Sequence, residues 1–171
     1  MLHCQPVFYI YDRDPILYEI IDDDLIQYRG PKLNKNRYMV CVGTGATFGR
    51  FVSSPFPMIL NTWLPTINFG YGHLETHLLL NSKPHMNIMD NATMIIVQYS
   101  SLRKYREKLD LLLKRFPNHL LMGFESIQSE GISDYPSAIR VPGTSLYGWY
   151  PDAGTHDLAA AMIRQKLETW L

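Results

Sequence analysis

Apolar and polar residues change their period several times along the chain. Tyr38-Met-Val-Cys-Val42 is a short continuous apolar run that stops at Gly43, the pattern of a strand buried on both faces. Spaced apolar residues follow from Gly49 to Leu64 (Phe51, Val52, Phe56, Ile59, Leu60, Trp63) and predict a helix that Pro55 and Pro57 must interrupt or start. Thr66-Ile-Asn-Phe69 predicts a second strand, ended by Gly70 and Gly72. His77–Asn81 suits a short helix, and Thr93-Met-Ile-Ile-Val-Gln98, rich in β-branched residues, is the clearest strand. Leu102, Tyr105, Leu109, Leu112 and Phe116 form one helical stripe opposite Arg103, Lys104, Arg106 and Lys108. His119–Gly123 predicts another strand, and breakers make 124–150 irregular. A last helix is expected over 156–171, with Ala159, Met162, Ile163, Leu167 and Trp170 facing inward. Alternating strands and helices predict an α/β fold: three α/β/α layers around a short parallel sheet.

Residues 1–36 break this rhythm. VFYIYD suits a strand, but the acidic residues, tyrosines and turn formers after it predict an N-terminal extension to a domain over 37–171. It is expected to pack on that domain or to join copies into a homo-oligomer.

The 171 residues fit one domain, and 46% apolar content supports a buried core. Sixteen Lys and Arg balance sixteen Asp and Glu, which removes the electrostatic argument for nucleic acid or an anionic membrane as partner. Two cysteines, Cys4 and Cys41, cannot form a disulfide framework. No apolar run approaches the roughly 20 residues of a membrane span, and the first residues do not read as a signal peptide. A cytoplasmic domain is expected.

Ligands of open parallel sheets bind beyond the carboxyl ends of the strands. Three turns fall there, GTGATFGR, GYGHLETH and QYSS, and a fourth candidate stretch, YPDAGTH, lies just before the last helix. Gly43-Thr-Gly-Ala-Thr-Phe-Gly49 can turn sharply at the first strand's end, but its glycine spacing fits neither a dinucleotide fingerprint nor a P-loop, so no cofactor is expected. His73, Glu75 and His77 have ligand-like spacing, yet one short cluster is too few groups for a metal site. Asp152 and His156 precede the last helix. They suit a carboxylate orienting a general base, or equally a helix cap and a first-turn residue.

The order of these stretches resembles the SGNH (GDSL-like) hydrolase superfamily, three-layer α/β ester hydrolases of glycans, lipids and related substrates. Its first block, Gly-Asp-Ser-x-Thr-x-Gly, is similar to Gly43–Gly49. Its Asn-x-Gly block is similar to Asn68-Phe-Gly70, and its last block to the stretch from Tyr147 to His156. The segment GRFVSSPFP further resembles a bacterial domain family of surface-polysaccharide and secondary-metabolite gene neighbourhoods. The departures are specific: Gly45 stands at the nucleophilic serine, Thr44 at the preceding Asp, and Tyr147 and Tyr150 at the catalytic Asp and His. Ser100-Ser-Leu-Arg103 offers no equivalent of the third-block Asn.

The expectation is therefore a pocket protein of a biosynthetic pathway that takes a small sugar or acyl substrate without the Ser-His-Asp machinery. Thr44 or Thr47 would supply a hydroxyl, and Asp152 with His156, or His73 with Glu75, would move a proton. The N–H groups of Gly45 and Gly70 would face an oxyanion, and Gly43, Gly72 and Gln98 complete the substrate-binding set. The alternative is a non-catalytic homologue that binds a ligand or a partner subunit.

Overall fold

The computed structural model describes residues 16–21, 24–29, 37–70, 80–146 and 148–170. The strands are Ile16–Ile21 (β1), Asp24–Arg29 (β2), Met39–Gly43 (β3), Thr66–Gly70 (β4), Met94–Gln98 (β5), His119–Phe124 (β6), Ile139–Val141 (β7), Ser145–Leu146 (β8) and Tyr150–Pro151 (β9). The helices are Gly45–Phe48 (α1), Phe56–Leu60 (α2), Lys83–Asp90 (α3), Arg103–Arg115 (α4) and Ala153–Glu168 (α5). Among the described residues, seven strands form one sheet in the order β1-β2-β4-β3-β5-β6-β7. From β4 to β7 all pairs are parallel, while β2 meets β4 antiparallel and β8 pairs with β9 apart.

Side-chain alternation along each strand builds two apolar layers. Val40 and Val42 of β3, Ile95 and Val97 of β5, and Leu121 of β6 pack under α3 and α4 with Ile88, Met89, Tyr105, Leu109 and Leu112. Met39, Cys41, Ile96, Leu120 and Met122 point the other way, onto Phe56 and Leu60 of α2 and Ala159, Ile163 and Leu167 of α5. The fold is thus a three-layer α/β/α sandwich around a short parallel sheet.

The boundaries differ from the sequence pattern where local chemistry overrides periodicity. The helix expected over 49–64 becomes two short ones. Gly49 ends α1 in the left-handed region, Phe51 follows at φ 67°, and Pro55 opens α2. The last helix begins at Ala153, earlier than expected, because Asp152 caps it. Trp170, expected inward, lies past its end and is half exposed. The segment read as irregular contains β7, and α3 was not anticipated. Part of the expected extension forms β1 and β2, which pair antiparallel at the sheet's β4 edge. The expectations for VFYIYD and for residues 77–79 lie outside the described residues.

Ile163 is fully buried under the sheet, whereas Leu158 on the same helix is exposed. Ile163→Ala should cost about 2–5 kcal/mol in urea unfolding. Leu158→Ala should change stability by less than about 0.5 kcal/mol.

Candidate functional site

The parallel strands run β4-β3-β5-β6-β7, so the direction of winding reverses between β3 and β5. A doubly wound sheet opens its ligand crevice at that point, beyond the carboxyl ends. Gly43 ends β3 and Gln98 ends β5, which places both at the crevice.

Gln98 fills its floor. Its Oε1 accepts from the Thr44 N–H (3.1 Å), the Thr44 hydroxyl (3.1 Å), the Thr47 N–H (3.1 Å) and the Thr47 hydroxyl (2.6 Å). Two of these donors are backbone amides, which can only donate, so the oxygen of the amide faces the turn. The Thr44 hydroxyl also accepts from the Ala46 N–H at 3.3 Å and so caps α1. Tyr105, its hydroxyl pushed up in pKa by burial, donates to the Gln98 backbone carbonyl and anchors β5 from beneath.

Asn68 clasps the same turn from β4. Its Nδ2 donates to the Thr47 carbonyl at 3.0 Å, and its Oδ1 accepts from the Gly70 N–H at 2.8 Å. The Gly70 N–H is thereby used inside the fold and does not face an oxyanion. Close approach explains the glycines: a Cβ on Gly43 would collide with Thr47 and Gln98, and one on Gly70 with the backbone of Phe48.

Gly45 is not in the left-handed region, and the space above it is filled by this chain. A Cβ there would lie 3.2 Å from Tyr150 Cε1 and 3.7 Å from Arg50 Cδ. Arg50 Nη1 donates to the Tyr150 hydroxyl at 2.9 Å, and the Phe51 ring meets Tyr150 edge-on at 5.2 Å. Arg50 and Phe51 thus belong to the site although sequence reasoning passed over them. Their only signal was the GRFVSSPFP segment.

Asp152 and His156 sit elsewhere. Asp152 Oδ1 accepts from the Thr155 N–H at 2.8 Å, and Oδ2 accepts from the Thr144 hydroxyl. The Thr144 hydroxyl, then Thr155, hold this carboxyl below the usual range. His156 is fully buried, its Nδ1 accepting from the Phe56 N–H at 3.2 Å and its ring stacked on Phe56 and edge-on to Phe124. It belongs to the apolar layer between α2 and α5, and no described contact brings it to the Thr44 or Thr47 hydroxyl. Cys41 is also buried, which pushes its thiol pKa well up. Gly72, His73, Glu75, His77 and Tyr147 lie outside the described residues. Among the described residues no group of His, Cys, Asp and Glu could hold a metal ion, and no helix is long and apolar enough to cross a membrane.

These features define a doubly wound α/β protein whose crevice floor is bonded to its own glutamine. Residues 14–109 match the family model described as "Domain of unknown function (DUF6473)", more than half of the chain, and the chain belongs to that family. No curated protein and no solved structure matches it.

Thr47→Val removes the shortest of the four bonds to Gln98 and should cost about 1–3 kcal/mol in urea unfolding, with Thr47→Ser close to the parent. Asp152 has a lowered pKa in the folded state, so its contribution is present at neutral pH and is lost as pH falls through the folded value. Asp152→Asn should therefore lower Tm at neutral pH. The gap to the parent should close as pH drops below about 4.

Proposed function

We propose that the chain is a non-catalytic SGNH-like module of a biosynthetic pathway that binds a small sugar- or acyl-type ligand at the β3/β5 crevice. The observation that carries this reading is the saturation of Gln98 Oε1. Both threonine hydroxyls spend their protons on it. A hydroxyl nucleophile needs a base within about 2.6–3.2 Å to take its proton, and a neutral amide oxygen is not one. The two amides that also converge there are occupied in the same way.

The SGNH part of the reading draws support from placement. The resemblance pairs Gly45 with the nucleophile and Tyr150 with the histidine that faces it, and Tyr150 does lie over Gly45. The closeness of these two positions, far apart in sequence, supports that pairing. What stands there is a glycine under a phenol ring, which supplies neither the nucleophile nor the base of the resembling blocks.

The purified protein should not turn over p-nitrophenyl acetate above the buffer rate. Turnover that disappears in Thr44→Ala or in Thr47→Val would replace this reading with a hydrolase using a shifted hydroxyl.

A further inference from the structure

One contact holds the buried imidazole of His156 in a single protonation state. Its Nδ1 accepts from the Phe56 N–H at 3.2 Å, so that nitrogen is bare and the ring is neutral, its hydrogen on Nε2. Phe56 opens α2, and Pro55 before it offers no side-chain cap. The imidazole of α5 therefore takes up an amide that no turn of α2 can satisfy.

A proton on Nδ1 would face the Phe56 N–H, donor against donor. It would also place a charge on a fully buried ring, with Phe56 stacked at 6.0 Å and Phe124 edge-on at 5.7 Å. The first turn of α5 opposes that charge too, because its amide ends carry partial positive charge. The ionisable groups around this layer do little to offset these costs. None lies in α2 itself. Cys41 of β3 stays a neutral thiol, its pKa pushed well up by burial. Glu125, which follows Phe124, is engaged by Arg140 of β7 at 3.2 Å. On α5, Asp157 is exposed. Asp152 is close enough to feel a charge on His156, but it is held by the Thr144 hydroxyl and the Thr155 N–H and screened by solvent.

His119 shows the opposite arrangement. Its Nδ1 lies 2.6 Å from the Phe116 carbonyl, so that nitrogen donates and a second proton on the ring breaks no bond there.

We propose that His156 is an acid-sensitive pin: a proton taken up at Nδ1 breaks its bond to the Phe56 N–H and releases the start of α2 from α5. The 49–55 segment leads into α2 and brings Arg50 and Phe51 onto Tyr150, so the release reaches the rim of the β3/β5 crevice. Free imidazole takes up a proton near pH 6.5, and the pinned state excludes it. The released state thus binds more protons, and the contact is present above about pH 6.5 and lost progressively below it.

Amide hydrogen exchange of the full chain at pH 7.5 and 5.5, corrected for the intrinsic pH dependence of exchange, tests this. Protection at Phe56 and Ile59 should fall roughly tenfold relative to Leu109 and Leu112 of α4. His156→Asn offers an oxygen near the place of Nδ1 and does not titrate, so the relative loss should vanish. It should persist in His119→Asn and in Asp152→Asn. Should His156→Asn fail to fold by circular dichroism, nitrogen-15 shifts of the parent's imidazole decide: Nδ1 should be bare at pH 7.5 and gain its proton as Phe56 loses protection. A protonated Nδ1 at pH 7.5, equal loss of protection in α2 and α4, or the same relative loss in folded His156→Asn would overturn the proposal. So would its disappearance in Asp152→Asn, which would assign the effect to the carboxylate. None of these results touches the non-catalytic reading, which stands or falls on ester turnover.

Discussion

One amide oxygen organises the upper edge of this sheet. Gln98 Oε1 collects two backbone and two hydroxyl donors from the turn after β3, and that convergence requires β3, α1 and β5 to meet closely. Closeness is then paid for in side chains: Gly43 must lack a Cβ because Thr47 and Gln98 occupy its place. Asn68 draws the same turn toward β4, and Gly70 must be bare for the same reason. The first turn of the chain's parallel domain is therefore clasped from both neighbouring strands. Loss of either clasp leaves buried donors or acceptors without partners, which is more damaging than the loss of an average hydrogen bond.

Much of this fold was legible in the residues, and the limits of that reading are physical. Strand runs such as Met94–Gln98 and the stripe of Tyr105, Leu109 and Leu112 carry their own periodicity, so burial on both faces of the sheet followed from them. The three residues of β7 are too few to show a period, and they lie among prolines. Lys83-Pro-His reads as a breaker, although a proline near the start of a helix is well tolerated, as in α3. The strand β2 joins the sheet by pairing with β4, a long-range choice that local pattern does not encode.

The site was legible in location and not in role. Glycines, threonines and a glutamine at strand ends pointed to the crevice, because strand direction fixes where polar turns gather. Which hydroxyl is occupied depends on distances set only after folding. Asp152 and His156 show the same limit: a carboxylate and an imidazole at a helix start suit either a proton relay or a cap and a core residue. The Thr144 hydroxyl and the Thr155 N–H engage the carboxylate, while Phe56 and Phe124 surround the imidazole. Composition cannot distinguish these outcomes, since each uses the same residue types.

The arrangement also separates two demands that a hydrolase has to combine. Acyl transfer needs a group that gives up a proton and a group that takes it, so the two pKa values must be pushed apart at one cleft. Here the shifted pKa values serve other ends. The Tyr105 phenol is raised where it holds the Gln98 carbonyl, and the Asp152 carboxyl is lowered where it caps α5. Among the described residues, the crevice carries the Gln98 amide and the Arg50 guanidinium, groups that donate hydrogen bonds without exchanging protons near neutral pH.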